Sequence, residues 1–368
     1  MTGKKRFLKA INHEEPDCVP VFANLSPPVA EKIGKKLGIK CEKVESSNLL
    51  WAGRISYTEI LAELGNDAIG IGATRDMEKT YQLNSDGTIT DEWGFRFASV
   101  SGYSEIVGRP LEGITDVKEV LEYDIPDPLS ENRWQLAREM IGRYGDNYAV
   151  IGFMGQTMFE MCWNLIGFES FLMDFFTEEE YLMALLDRLM EYAVKYSGKL
   201  IDLGVDVIFM GDDVGTQNGM LVSPELWRKI MKPRMKKICG SIKNKKPDVK
   251  IAYHSCGSIF PIIGDLIETG IDILNPIQPL AKDMDLKALK EMYGDRLCFF
   301  GGIDVQQSLP HGSAEDIEKE VRDRILSAAR GGGFIIAPAH IIQSDTRVEN
   351  VEAFFNAVKR YGRYPINF

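Results

Sequence analysis

The sequence predicts an α/β fold, a (β/α)8 TIM barrel carrying a β-hairpin insertion between its second and third strands. Three observations predict it: eight short apolar runs recur along the chain, helix-length amphipathic segments separate them, and almost every run ends in a polar residue. Nearly continuous apolar runs are how parallel strands buried on both faces read. Strand and helix alternating through eight repeats favours a closed barrel over an open doubly wound sheet. The open sheet is the alternative, and no Gly-x-Gly-x-x-Gly turn follows the first run to support it.

In chain order the runs are Val19–Asn24, Ala68–Gly72, Tyr148–Gly155, Asp206–Met210, Lys250–His254, Ile273–Ile277, Leu297–Gly301 and Phe334–Pro338. Helices are expected over Ser46–Leu64, Val117–Tyr144, Glu178–Leu203, Pro224–Lys243, Ile259–Thr269, Asp285–Tyr293 and Ser313–Ala329. Ser223-Pro224-Glu225 shows how such a helix starts, with a capping hydroxyl, proline at the first helical position and an acid in the first turn. Between the second and third runs, Ser85-Asp86-Gly87 and Trp93-Gly94-Phe95 lie in alternating stretches, which predicts the inserted hairpin over about 80–103. A chain of 368 residues suits one barrel with an insertion, and no linker divides it, so a single domain over 1–368 is expected.

Composition excludes several classes of function. With 45% hydrophobic and 26% charged residues the chain can bury a large core. A net charge of −11 without a basic stripe argues against nucleic acid as a partner. The basic stretch from Arg228 to Lys246 has helical spacing and reads as a solvated helix face or, less readily, as a docking patch for an acidic protein. Cys18, Cys41, Cys162, Cys239, Cys256 and Cys298 are too scattered for a disulfide framework, which points to a reducing, cytoplasmic setting. Nothing resembles a signal peptide or a membrane span.

Barrel chemistry sits at the C-terminal strand ends. The residues there are Asn24; Gln156 with Glu160 one helical turn on; Asp212 and Asp213; His254 and Cys256; Asn275 and Gln278; Asp304; and His340, Gln343 and Asp345. His254 and Cys256, two apart on an extended segment, point the same way. Imidazole and thiolate suit Zn²⁺, although a buried cysteine beside a hydrogen-bonded histidine is the commoner outcome of such spacing. His340 is the best placed third ligand, and a substrate-binding or structural histidine is an equal reading. Adjacent carboxylates at Asp212 and Asp213 repel, so one can serve as an acid, while a simple turn explains the pair as well. Cys298, at the start of its run, belongs to the core.

These residues, with Arg6-Phe7-Leu8-Lys9-Ala10, Pro16-Asp17-Cys18-Val19-Pro20-Val21, His254-Ser255-Cys256-Gly257 and Gly332-Gly333-Phe334-Ile335-Ile336-Ala337-Pro338, carry a resemblance over nearly the whole chain. It resembles the uroporphyrinogen decarboxylase superfamily, in the branch of corrinoid-dependent methyltransferases and O-demethylases. That resemblance implies the barrel. Decarboxylases of the superfamily grip substrate carboxylates with an arginine-rich segment, but Asn24-Leu25-Ser26-Pro27-Pro28-Val29-Ala30 holds no arginine, and the next is Arg54. The methyltransferase branch implies Zn²⁺ bound by His-x-Cys on the fifth strand and a cysteine on the eighth, where this chain has His340.

The expectation is therefore methyl transfer between a small-molecule donor or acceptor and a corrinoid protein, with Zn²⁺ on His254, Cys256 and His340. Asp212, Asp213 and His340 are the candidate catalytic groups; Asn24, Gln156, Glu160, Asn275, Gln278 and Gln343 are the candidate substrate contacts. Cobalamin would arrive on a partner protein, and a homodimer is expected. The alternative is a cofactor-free carboxy-lyase acting on a carboxylated substrate, with Asp212 or Asp213 stabilising charge.

Overall fold

The computed structural model describes residues 1–47, 53–76, 82–100 and 103–367. Seven parallel strands form one curled sheet: β1 (Ala68–Ile71), β6 (Ala149–Gln156), β7 (Val207–Gly211), β10 (Lys250–His254), β11 (Ile273–Ile277), β12 (Cys298–Ile303) and β13 (Phe334–Pro338), in that spatial order. The remaining strands are β2 (Gln82–Leu83), β3 (Ile89–Thr90), β4 (Arg96–Val100) and β5 (Tyr103–Gly108) in one antiparallel sheet, and β8 (Gly215–Thr216) with β9 (Gly219–Met220) in a small hairpin. The architecture is mixed α/β and TIM-barrel-like.

Period-two alternation divides the core. On β7, Val207 and Phe209 join an inner cluster with Ile151, Phe153, Ala252, Ile273, Cys298 and Phe300, while Ile208 and Met210 pack outward under the helices. The inner space is filled with aromatic rings. Phe153 lies 4.7 Å from Phe209, and Phe300 lies 6.2 Å from Phe209 and 5.6 Å from Phe22. Phe7, on the helix Gly3–Ile11, closes the lower end at 6.4 Å from Phe300. Side chains filling the interior make this a packed core rather than a pore.

Three expected elements differ. The first run forms no continuous strand, because Pro20 lacks an N–H and side chains replace part of the ladder. Val21 and Leu25 bridge Ile336 and Ile342 on one side. On the other, the Val21 N–H donates to Asp67 Oδ2 at 2.9 Å, and the Ala23 N–H donates to Asn66 Oδ1 at 2.9 Å. The run thus lies between β13 and β1.

The expected hairpin over 80–103 is instead four antiparallel strands reaching Gly108, and the parts of that expectation at 80–81 and 101–102 lie outside the described residues. A buried Glu92–Arg133 ion pair ties this sheet to the body. The helix expected over Val117–Tyr144 breaks into Val117–Glu122 and Gln135–Tyr144, because Pro126 and Pro128 cannot continue it. Of Ser46–Leu64, helix is formed over Thr58–Leu64, and 48–52 lie outside the described residues.

The basic stretch forms the helix Pro224–Lys245, and most of its charge is spent within the chain. Arg228 and Lys232 meet Asp265 at 2.9 and 2.7 Å, Arg234 meets Asp187 at 2.8 Å, and Lys229 pairs with Glu178. These cations are engaged by carboxylates of neighbouring segments, as on a solvated helix face. Among the described residues no helix is long and apolar enough to cross a membrane.

Candidate functional site

Three adjacent strands, β7, β10 and β11, deliver the polar groups that meet. Register places Gly211 and Asn275 opposite His254 on either side. Two glycines permit the close approach. A Cβ on Gly211 would fall 2.2 Å from the His254 carbonyl oxygen, and Gly257, at φ +81°, lies so near Thr216 that a Cβ would stand 2.6 Å from its oxygen.

His254 Nε2 faces Cys256 Sγ at 3.6 Å and Asp213 Oδ1 at 3.6 Å. The donor atoms of Asp213, His254 and Cys256 all lie within 4.8 Å of one another. His254 Nδ1 lies 2.6 Å from Asn275 Oδ1. Asp213 Oδ1 also accepts the Cys256 N–H at 2.8 Å, and Gln278 Oε1 accepts the Gly257 N–H at 2.8 Å, so the loop after β10 is held at two successive amides.

Glu160 stands beside this cluster. Its carboxylate accepts from Gln156 Nε2 at 2.7 Å and from the Asp213 N–H at 3.3 Å. Burial, then the nearby Asp213 charge, pushes its pKa up to about 8. Burial and Asp213 likewise push the Cys256 thiol up, while burial followed by the charge of Arg54 holds His254 down to about 3. The site therefore favours uncharged groups, as desolvation does.

Sequence position separates poorly what geometry separates well. Asp212 and Asp213 are neighbours with different tasks. The Asp212 carboxylate is fully buried and accepts backbone N–H groups from Thr157, Met158 and Glu160 at 2.9–3.2 Å, capping the start of the helix Phe159–Ile166. Asp212 was expected as a catalytic acid; its carboxylate is engaged by these backbone amides at the helix entry, and burial raises its pKa to about 7. Asp304 is a turn residue in the same way, accepting from Gln306 N at 2.7 Å.

His340 is exposed at the mouth, with its ring 6.3 Å from that of His254, and it is not in the Asp213–His254–Cys256 cluster. Among the described residues, the donor group within 4.8 Å pairs His254 and Cys256 with Asp213, where His340 was expected as the third ligand. Gln343 lies further out, its Nε2 bonded to the Ile341 oxygen at 3.3 Å, and Asp345 is exposed. Asn24 is buried, and its Oδ1 has no hydrogen-bond partner among the described residues.

One residue near the site lay outside the strand-end rule. Arg54 is buried, with its guanidinium 5.4 Å from the Phe209 ring centre and 5.9 Å from that of Phe153. Burial draws its pKa down to about 10, opposed by Cys256, Asp213 and Glu160. It enters from the stretch before β1 rather than after a strand, and no local pattern marks it.

Comparison with known proteins places the fold and the family. The model of the uroporphyrinogen decarboxylase family matches residues 102–361. A methylcobamide:CoM methyltransferase of Methanosarcina barkeri is 26% identical over 64% of this chain and 66% of its own length, just under two thirds. A second, from Methanosarcina acetivorans, is 23% identical over 98% of each chain. The uroporphyrinogen decarboxylase of a Synechococcus strain is 28% identical over 72% of this chain and 73% of its own. Among solved structures, a methyltransferase from Methanosarcina mazei superimposes with a TM-score of 0.71 at 21% identity, covering 98% of this chain and 99% of that one. The match to the family model spans most of the chain, and so the chain belongs to the uroporphyrinogen decarboxylase family of enzymes.

Proposed function

We propose that the protein moves a methyl group between a small substrate and a corrinoid protein, with Zn²⁺ held by His254, Cys256 and Asp213. The observation that carries this reading is the clustering of one nitrogen, one sulfur and one carboxylate donor within 4.8 Å at adjacent strand ends. Three protein ligands of these types, with room for one more, are what a catalytic zinc site takes. The donor set fits the metal, and the glycine at 211 gives His254 and Asp213 the approach it needs.

Bound there, the metal would supply Lewis acidity, lowering the pKa of a thiol acceptor or polarising the heteroatom of a methyl donor. The chain's own residues do the rest. Gln156 and Glu160 form a hydrogen-bonded wall beside the cluster, His340 lines the mouth, and Asp213 and Gln278 hold the Cys256 loop in place. We place residues 1–368 in one domain, a barrel of eight strand–helix units in which the Val19–Asn24 run supplies the eighth member. Cobalamin arrives on a partner at the open mouth.

The test is metal analysis together with methyl transfer. Purified protein carries about one zinc per chain, and Cys256→Ala loses it along with transfer to reduced cobalamin. The carboxy-lyase alternative rests on the decarboxylase relatives, but it loses Asp212 as a charge stabiliser and retains Asp213 and Arg54. A metal-free chain that releases CO₂ from a carboxylated substrate would reverse the choice.

A further inference from the structure

Asn275 was expected to touch substrate, yet its side chain is spent inside the protein. It is buried, and its Nδ2 donates to the Phe300 carbonyl oxygen at 3.1 Å. That bond leaves Oδ1, which can only accept, facing His254 Nδ1 at 2.6 Å. His254 must therefore carry its proton on Nδ1. A neutral imidazole has one N–H, so the lone pair falls on Nε2, the nitrogen aimed at Cys256 and Asp213.

We propose that Asn275 is a positioning residue that fixes the tautomer and ring direction of His254, presenting Nε2 as a metal donor. The inference deepens the zinc reading and rests on it for the word metal alone. Each link is anchored on a neighbouring strand. Asn275 sits opposite His254 in the β10–β11 register, its backbone oxygen accepts the Ser255 N–H at 2.8 Å, and its amide is locked by β12 through Phe300. The chain Phe300 oxygen, Asn275, His254 runs across three strands, so the ring direction is set by the sheet and not by a loop.

Partners that orient a ligating histidine are worth roughly 10- to 100-fold in metal affinity. Asn275→Leu, which keeps the shape and removes the acceptor, should weaken equilibrium binding of Zn²⁺ or Co²⁺ by about that factor at unchanged folding, judged by circular dichroism and melting. Asn275→Asp retains an acceptor in the same place and should bind within about threefold of the parent. The second readout needs no metal. In histidine-labelled, metal-free protein, ¹⁵N shifts should report His254 protonated on Nδ1, and Asn275→Leu should move that signal toward the ordinary Nε2–H form. An Nε2–H tautomer in the parent chain, or a leucine variant with unchanged tautomer and unchanged affinity, overturns the proposal. If the parent binds no metal at all the zinc reading fails, and the tautomer measurement still decides the role of Asn275.

Discussion

The two ends of the parallel sheet treat charge in opposite ways. At the N-terminal ends of the strands, Arg6 meets Asp17 at 2.7 Å and Asp67 at 2.5 Å, Lys4 meets Asp206 at 3.0 Å, and Lys243 meets Asp272 at 2.7 Å. At the C-terminal ends, Asp213, Glu160 and the Cys256 thiol crowd around His254, and the buried cation they share electrostatically is Arg54. A cavity of about 700 Å³ lies at the lower end beside Arg6, Asp67 and Phe355. Volume is a poor guide here. The lower end satisfies its charges and contributes stability, whereas the upper end concentrates donors of kinds that a metal ion binds.

The sharpest way to break this contrast is at Cys256. Cys256→Ala should reduce bound zinc to background and slow methyl transfer by roughly three orders of magnitude, the scale of losing electrostatic stabilisation of a transition state. Zinc retained at full stoichiometry would place the metal elsewhere.

The adjacent carboxylates divide along the same line. Asp212→Ala, which strips the cap from three buried amides, should cost about 2–4 kcal/mol in urea unfolding. Asp213→Ala should leave unfolding nearly unchanged and lose metal affinity. Equal losses of stability in both variants would erase the distinction drawn between them.

At the lower end, Arg6→Met leaves the buried Asp67 carboxylate without its cation and should cost about 1–3 kcal/mol, reduced from the fully buried case because Arg6 is partly exposed. Zinc content should not change. His340→Ala should hold metal affinity within about threefold, since a residue outside the donor set costs less than one that orients it. A collapse in zinc binding on losing His340 would restore the original ligand set.

The smallest effect concerns a carboxylate in the turn between β3 and β4. Asp91 accepts the N–H groups of Trp93 and Phe95 at 3.0 and 2.9 Å, and burial raises its pKa from 3.8 to about 7. The folded state therefore binds this proton more tightly than the unfolded one. Its contribution is fully present below about pH 4 and is lost as pH rises through about 7. Asp91→Asn, which cannot ionise, should melt higher than the parent at pH 8 by an amount equivalent to about 1–3 kcal/mol, and show little difference at pH 4. An advantage of equal size at both pH values would remove ionisation as its cause.

Much of this was legible before any coordinates. Seven of the eight apolar runs are strands, because buried parallel strands must be apolar throughout, and the pairing of His254 with Cys256 follows from the two-residue period. The run at Val19–Asn24 was visible as apolar, but the hydrogen bonds taken by Asn66 and Asp67 side chains cannot be read from it. Arg54 was missed for a related reason: it is drawn into the interior from a segment whose own pattern says nothing of where its side chain ends.

By itself, the sequence determined the parallel α/β architecture, the end of the sheet that carries the polar groups, and the imidazole and thiol at its centre. Those features depend on local periodicity. Tertiary structure alone decided that Asp212 caps a helix while Asp213 joins His254 and Cys256, and that Asn275 faces inward to the ring. Each of those outcomes turns on a few ångströms between strands far apart in the chain, and register and packing set such distances, not residue type.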